Sequence, residues 1–301
     1  MRNSIQALSD ELRRLKEAGV KTLPVSEASV KALAAAVRRR AGASAPAAPA
    51  PAIRPARVAA AKASPAPEPA AAEPKASLPP PPAFELPAGD KPSRWAALGD
   101  RVRGDPTCLA HVRPGKKIVL GVGNLDAKIM FVGEAPGADE EIQGEPFVGA
   151  AGQLLNRMIA GMGLSRGDVY IGNIMNWRPE LPLGPGGTQV GNRPPTPEEM
   201  AYCLPYLRAQ IDIVSPALLV ALGATAAQGL LGAGTFKALG EIRGQWREFQ
   251  GRPLMITYHP SYILRNQSNR SKRVIWEDFL KVMERAGLAI SGKQRGYFLE
   301  K

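Results

Sequence analysis

The sequence predicts an α/β fold of three layers, in which a central, mostly parallel four-stranded sheet lies between two layers of helices. Short apolar runs alternate with helix-like segments from residue 93 onward, as in a parallel sheet covered on both faces. The runs predicted as strands are 128–132, 169–174, 217–222 and 253–258. The segments predicted as helices are 150–163, 197–213, 224–231 and 272–286.

One helix start has a complete set of local signals. Thr196 can cap the helix, Pro197 suits its first turn, and Glu198 and Glu199 complement the positive end of the helix dipole. Open α/β sheets bind ligands beyond the carboxyl ends of their strands. The residues that follow the predicted strands are therefore the candidates for a functional site.

Composition divides the chain into four parts. Residues 1–43 carry apolar side chains at helical spacing and predict a helical arm, which either docks elsewhere or holds phosphate through the arginines at 38–40. Residues 44–92 are mostly Ala and Pro and predict a disordered linker. The folded domain is expected at 93–290, with a carboxyl-terminal tail at 291–301.

The charge and cysteine content limit the possible partners and compartment. A net charge of +12 favours a polyanionic partner, although a basic surface that only aids solubility is the alternative. Two cysteines form no disulfide framework and suit a reducing cytoplasm. The amino terminus lacks a signal-peptide pattern and no run approaches a membrane span, so we expect a soluble, cytoplasmic monomer with no membrane partner.

The most informative segment is 130–155, where an apolar run leads into a turn and then a helix. Gly133 and Gly137 allow close approach of the backbone to a ligand, and Pro136 fixes the turn between them. The turn displays one acid, Glu134, and Phe147 follows. An acid and an aromatic ring at the end of a strand suit a flat polar ring as ligand.

Three further segments complete a pattern: 170–174 (Tyr-Ile-Gly-Asn-Ile), 191–199 (Gly-Asn-Arg-Pro-Pro-Thr-Pro-Glu-Glu) and 258–266 (Tyr-His-Pro-Ser-Tyr-Ile-Leu-Arg-Asn). With the first segment and in this order, they resemble the motifs of the uracil-DNA glycosylase superfamily, most closely the family 4 enzymes of bacteria and archaea. The resemblance covers roughly 94–288. It implies DNA containing uracil as substrate, and a contact of the arm with a repair protein would suit that role.

The resemblance assigns base recognition to three side chains. His259 matches the histidine that donates a hydrogen bond to the uracil oxygen where charge accumulates. Asn173 matches the residue that reads the N3–H and O4 edge, because an amide offers both donor and acceptor, with Asn176 as the rival position. Phe147 either stacks on the flipped base or belongs to the core. The other histidine, His111, is expected to be structural.

The catalytic acid is expected at Glu134, either positioning water or stabilising the sugar cation, while Gly133 and Ala135 border the base pocket. Ala135 stands where the family 1 enzymes have their catalytic acid. Glu140 either helps to exclude the methyl group of thymine or belongs to a solvated acidic surface.

A loop after His259 is expected to insert into the duplex and grip phosphates. The residues predicted to contact DNA are Ser261, Tyr262, Leu264, Arg265, Asn266, Lys272 and Arg273. Arg270 continues this positive strip.

The chain departs from family 4 at the iron–sulfur cluster. Cys108 and Cys203 match two of the four cysteine ligands, but Asp105 and Trp177 stand at the other two positions. A cluster held by four cysteines does not close on two, so we expect no metal and no cofactor. Residues 180–190, rich in Gly and Pro, are expected to form an enlarged surface loop.

The resemblance implies a monofunctional uracil-DNA glycosylase, a hydrolase that starts base excision repair and leaves an abasic site. The alternative is a non-catalytic module that binds lesions or abasic sites with a degenerate pocket. A nucleotide-binding α/β enzyme for small molecules is a further rival, but the chain has no Gly-x-x-x-x-Gly-Lys-Ser/Thr loop.

Overall fold

The computed structural model describes residues 78–184 and 187–299 of the chain. The arm predicted at 1–43 and most of the linker predicted at 44–92 lie outside the described residues. The predictions for these segments are therefore not tested.

The core of the fold is a twisted sheet of six strands in the order β1-β3-β2-β4-β6-β5. The inner four strands are mutually parallel, whereas β1 and β5 pair antiparallel at the two edges. The strands are β1 Val122–Gly123, β2 Ile129–Gly133, β3 Tyr170–Asn173, β4 Leu218–Leu222, β5 Trp246–Phe249 and β6 Arg252–Thr257. The predicted parallel sheet is confirmed, and its four predicted strands are the inner ones.

The strand count of four was wrong because the two edge strands lack the pattern of buried strands. β1 has only two residues, and β5 is largely exposed along Trp246–Phe249. A strand at the edge of a sheet needs no continuous apolar run. The four inner strands, by contrast, are covered on both sides and consist mostly of buried apolar residues.

Ten α-helices and a short 3₁₀-helix, Arg166–Asp168, surround the sheet within the described part of the chain. The α-helices are α1 Lys91–Arg103, α2 Pro106–Ala110, α3 Ala138–Gln143, α4 Ala150–Gly161, α5 Pro197–Val214, α6 Ala224–Leu231, α7 Leu239–Ile242, α8 Ser261–Arg265, α9 Asn269–Arg285 and α10 Gly292–Arg295. Thr196 caps α5 by accepting from the Glu199 amide, as predicted. In residues 78–184 and 187–299, no helix combines the length and the apolar character needed to cross a bilayer.

The apolar core divides into two clusters, one on each face of the sheet. In β2, Met130 and Val132 belong to the cluster with α1, α5 and α6, while Ile129 and Phe131 belong to the cluster with α4 and α9. Alternate residues of one strand thus pack on opposite helical layers. This arrangement confirms the three-layer α/β/α class.

The described end of the predicted linker, from residue 78, and the described part of the predicted tail, up to residue 299, pack on the domain. Phe84, in the extended stretch before α1, stacks on Tyr206 with ring centroids 5.4 Å apart. At the other end of the chain, the indole N–H of Trp276 donates to the Gln294 carbonyl at 2.6 Å. The insertion after Pro179 contains a bridge between Leu183 and Gln189.

Candidate active site

The carboxyl ends of the four parallel strands meet at one edge of the sheet and open into a cleft of about 480 Å³. Gly133 at the end of β2 is in register with Asn173 at the end of β3, and Leu222 is likewise in register with Thr257. The side chains lining the cleft include Glu134, Ala135, Glu140, Phe147, Asn173, Asn192, Thr225, Tyr258, His259, Ser261, Tyr262 and Arg265. The two predicted catalytic residues and three of the four predicted base-binding residues therefore share one cleft.

Asn173 presents an amide whose oxygen has no partner within the protein. The residue is 6 % exposed, and its Oδ1 is buried without a hydrogen bond. A Cβ on the fourth predicted base-binding residue, Gly133, would collide with Asn173 Oδ1 and with the ring of Phe147. Glycine at 133 thus lets the amide and the ring approach each other. A buried acceptor without a partner costs free energy unless a ligand supplies the donor.

The rival position Asn176 lies outside the cleft. Its side chain is buried, and its Nδ2 donates to the Val119 carbonyl at 3.2 Å. Of the two asparagines, only Asn173 therefore lines the cavity.

The ring of Phe147 lines the cleft and also packs in the core cluster under α4 and α9. Its centroid lies 5.6 Å from that of His259, with the planes inclined by 31°. The backbone of Phe147 is left-handed, at φ 54°, a conformation that costs free energy in a residue other than glycine. Arg166 supports this turn, because its guanidinium donates to the carbonyls of Phe147 and Pro146.

Glu140 closes the loop that carries Phe147. Its Oε1 accepts from the amides of Val148 and Gly149 at 3.0 Å each, and its Oε2 accepts from the Gly137 amide at 3.1 Å. These bonds contradict the interpretation as a solvated acidic surface, while exclusion of the thymine methyl group stays a prediction. The available signal was an acid three residues into a helix that starts at glycine, which is the spacing of a capping box.

His259 is held as a neutral imidazole. Its Nδ1 accepts from the Ser261 amide at 3.2 Å and lies 2.9 Å from Ser261 Oγ. A nitrogen that accepts from an amide carries no proton, so the ring proton is on Nε2, which is available as a donor. Burial, with a smaller contribution from the charge of Arg265, lowers the pKa of His259 to about 4.

Glu134 lies in the same cleft, and the pKa of its carboxyl group is shifted. Burial raises the pKa of the Glu134 carboxyl, and a hydrogen bond from Thr225 acts in the opposite direction. Thr225, which follows β4 at the same edge of the sheet, was not among the predicted site residues. Neither was Asn192, whose Oδ1 accepts from Arg178 Nε at 2.9 Å.

The predicted DNA contacts fall on different sides of α8. Ser261, Tyr262 and Arg265 line the cleft, whereas Leu264 and Lys272 line a neighbouring cavity. Asn266 and Arg273 line neither cavity. Arg273 donates to the carbonyls of Arg295 and Tyr297 and pairs with Glu277, while Asn266 donates to the Tyr262 carbonyl. The DNA contacts themselves stay predictions.

The region of the two cysteines is closed by internal contacts. Cys108 and Cys203 are fully buried, and burial raises the pKa of both thiols. Asp105 accepts from the Cys108 amide and from the hydroxyls of Tyr202 and Tyr206.

Trp177 stands at the last of the four positions where the family 4 enzymes have a cluster cysteine. It is fully buried and stacks on His111 with centroids 5.0 Å apart. An indole supplies no thiolate, and Asp105 is already engaged by three donors, so these residues do not fit a cluster held by four cysteines. Within the described ranges, no group of three or more His, Cys, Asp or Glu side chains is placed to hold a metal ion.

Fold and cleft together define an α/β protein that can hold a flat polar ring between an aromatic side chain and polar groups at the carboxyl edge of its sheet. The sequence profile of the uracil DNA glycosylase superfamily matches residues 120–280. The chain belongs to this superfamily.

Several relatives named type-4 uracil-DNA glycosylase are similar to this chain. The protein of Thermotoga maritima is 42 % identical over 185 residues, which are 61 % of this chain and 90 % of that protein. The protein of Archaeoglobus fulgidus is 41 % identical, covering 56 % of this chain and 82 % of the relative. For Pyrobaculum aerophilum the identity is 41 %, with 58 % and 87 % covered. The family predicted from the sequence motifs is confirmed.

Proposed function

We propose that this chain is a monofunctional uracil-DNA glycosylase, which hydrolyses the N-glycosidic bond of deoxyuridine flipped out of DNA, starts base excision repair and leaves an abasic site. The observation that carries the proposal is the unpaired amide oxygen of Asn173 in one cleft with the ring of Phe147 and the neutral imidazole of His259. The family and the names of the relatives support the reaction.

Recognition of the base would use the amide and the aromatic ring. The N3–H of uracil would donate to Asn173 Oδ1, and the amide nitrogen would donate to O4. Cytosine presents an acceptor and an amino group at these positions, so it would leave the amide mismatched. Phe147 would stack on the ring and hold it without reading its identity.

Cleavage of the C1′–N1 bond leaves the electron pair on N1, and the negative charge spreads to the uracil oxygens. His259 Nε2–H would donate to the oxygen where this charge develops. A neutral imidazole suits this task, because it is a much weaker acid than the imidazolium and donates a hydrogen bond without transferring its proton. Glu134 would stabilise the cationic sugar and orient the water that adds to C1′, whose proton passes to the carboxylate or to solvent.

We also propose that the chain folds without an iron–sulfur cluster. The contacts of Asp105 with two tyrosines and the buried indole of Trp177 support this. Iron and acid-labile sulfide assays on protein purified without air should find far less than one iron per chain. Stoichiometric iron would refute the proposal.

The reaction is tested with oligonucleotides that contain one uracil, as single strands and as duplexes, with a thymine oligonucleotide as control. We expect free uracil in solution and strand cleavage only after alkali, because no strand incision accompanies hydrolysis. Tight binding of the uracil strand without base release would instead indicate the non-catalytic lesion-binding module.

Three further proposals concern the setting of the protein. We propose a cytoplasmic location, a monomeric state, and contact of the amino-terminal arm with another repair protein. The cysteine content supports the location. Light scattering of the full chain at micromolar concentration tests the monomer, and a dimer mass would contradict it.

A further inference from the structure

A second cavity, of about 540 Å³, lies on the opposite side of α8 from the cleft. Ser261 and Tyr262 line the cleft, whereas Ile263 and Leu264 line the second cavity. A helix with its side chains is roughly 10–12 Å across, so a strand of DNA that passes over α8 can reach both spaces. Leu264 is 38 % exposed between them.

The walls of this cavity combine apolar surface with positive charge. Trp276, Tyr297 and Phe298 are its aromatic residues, and no acidic residue is among those that line it. Arg157 and Lys272 are its two charged side chains, and Lys272 Nζ lies 6.0 Å from the ring centroid of Phe298. Aromatic rings flanked by cations are the composition that binds unstacked nucleobases together with their phosphates.

Hydrogen bonds to the rest of the domain hold the carboxyl-terminal segment that carries Tyr297 and Phe298. Arg273 donates to the carbonyls of Arg295 and Tyr297 at 2.7 and 3.0 Å, and Gln294 Nε2 donates to the Gly161 carbonyl at 2.9 Å. Phe298 is 39 % exposed and has a left-handed backbone, with φ 62°. This conformation costs free energy in a residue other than glycine.

We propose that this cavity binds a second nucleobase of the substrate strand, that of a nucleotide beside the flipped uracil. The base would stack on Phe298, its phosphate would lie near Lys272 and Arg157, and Leu264 would separate the two bases. Stacking accepts any base, so this subsite would add affinity without sequence preference. The inference rests on the proposed glycosylase function, to which it adds the part of the substrate next to the lesion.

The test uses single-stranded oligonucleotides with one uracil, in which the neighbouring nucleotide on either side is replaced by an abasic spacer. For the wild-type protein we expect at least about a fivefold rise in KM when the spacer stands on one of the two sides, since stacking on an aromatic side chain is commonly worth that much or more. In Phe298→Ala the normal oligonucleotide should show a similar rise, and the spacer should add little more.

Two variants control for a general loss of structure. Phe298→Tyr keeps the aromatic face and should retain the wild-type KM. Leu299→Ala removes a side chain that is 54 % exposed and does not line the cavity, and it should still respond to the spacer as the wild type does.

The inference is overturned if the spacer leaves the wild-type KM unchanged on both sides, or if Phe298→Ala responds to the spacer as strongly as the wild type. It is also overturned if Phe298→Ala binds all substrates normally, because the cavity would then serve a ligand other than DNA, such as a protein segment. A wild-type protein that releases no uracil from any oligonucleotide refutes the proposed function instead.

Discussion

The cleft at the carboxyl edge of the sheet and the cysteine region beside α2 differ in whether their polar groups are available to a ligand. In the cleft, Asn173 Oδ1 has no partner and His259 keeps a donor on Nε2. In the cysteine region, Asp105 is engaged by two tyrosine hydroxyls and one amide, although the buried Nε1 of Trp177 lacks a partner. Asn176 Oδ1, beside Trp177, also lacks a partner, but neither Asn176 nor Trp177 lines the cleft, whereas Asn173 and His259 do and present their free groups to a ligand.

This contrast indicates which region is kept for chemistry and which for stability. Buried polar groups without partners lower the stability of a fold, and they are retained where a ligand supplies the missing hydrogen bond. Polar groups that satisfy one another stabilise a fold and need no ligand. Substitutions in the cleft should therefore change activity more than stability, and substitutions around Asp105 should do the opposite.

The largest effect on activity is expected for His259→Ala. Removing one donor to developing negative charge should lower kcat by about 100-fold to 1000-fold. Uracil release in single-turnover experiments measures the change. His111→Ala is the control, because His111 stacks on Trp177 outside the cleft and should retain activity. Equal activity of both variants would remove the imidazole from the mechanism.

Asn173→Ala should separate activity from stability. We expect at least a tenfold fall in uracil release, while the free energy of unfolding falls by no more than about 0.5 kcal/mol, because an unsatisfied acceptor disappears with the side chain. Asn176→Ala is the matched control: its Oδ1 also lacks a partner, but its Nδ2 bonds the buried Val119 carbonyl and it lies outside the cleft, so activity should be kept and about 1 kcal/mol of stability lost. Urea unfolding and excision assays distinguish these outcomes.

In the cysteine region, Asp105→Ala should destabilise the fold with little change in kcat. Burial acts to raise the pKa of Asp105, but hydrogen bonds from Tyr206, the Cys108 amide and Tyr202 keep it below its usual value. Losing the cap of α2 and both hydroxyl contacts should cost roughly 2–4 kcal/mol. Asp100→Ala, at an exposed position in α1, should cost less than about 0.5 kcal/mol. A large loss of kcat in folded Asp105→Ala would contradict the contrast.

The sequence predicted the inner strands and the residues after them because both depend on local patterns. Runs such as 217–222 are apolar on both faces, and His259 stands directly after such a run. The roles of Glu140 and Arg166 depend instead on a loop that brings them to the backbone around Phe147, 8 to 20 residues away along the chain. The tail contacts join residues as far apart as Gly161 and Gln294, and no local pattern encodes them.

Glu140→Gln should lower both activity and stability moderately, because Glu140 supports the cleft without being one of its free polar groups. A carboxylate accepts from three amides, whereas a carboxamide has one oxygen and places an N–H against a donor. We expect a loss of about 1–3 kcal/mol in stability, and a several-fold fall in kcat as the loop of Phe147 loosens. Asp139→Asn, one residue earlier and exposed, should change neither. Unchanged kcat in Glu140→Gln would mean that the loop does not need this closure.

His259 also makes the stability of the fold depend on pH. Its pKa is about 4 in the folded protein and about 6.5 when unfolded, so the unfolded chain binds more protons between these values. The free energy of unfolding should therefore fall as the pH drops below about 6.5. The loss by pH 5 should be about 2 kcal/mol.

Glu134, whose pKa is raised in the fold, stabilises the fold as the pH falls and so opposes the effect of His259. The contribution of His259 is therefore taken from the difference in unfolding free energy between the wild type and His259→Gln. In urea unfolding, the wild type should lose stability relative to this variant as the pH falls from 6.5 to 5. The two proteins should differ by a constant amount above pH 7. A constant difference across the whole range would show that the folded imidazole titrates normally. Burial would then not be what keeps His259 neutral, and the contrast between cleft and cysteine region would lose its electrostatic part.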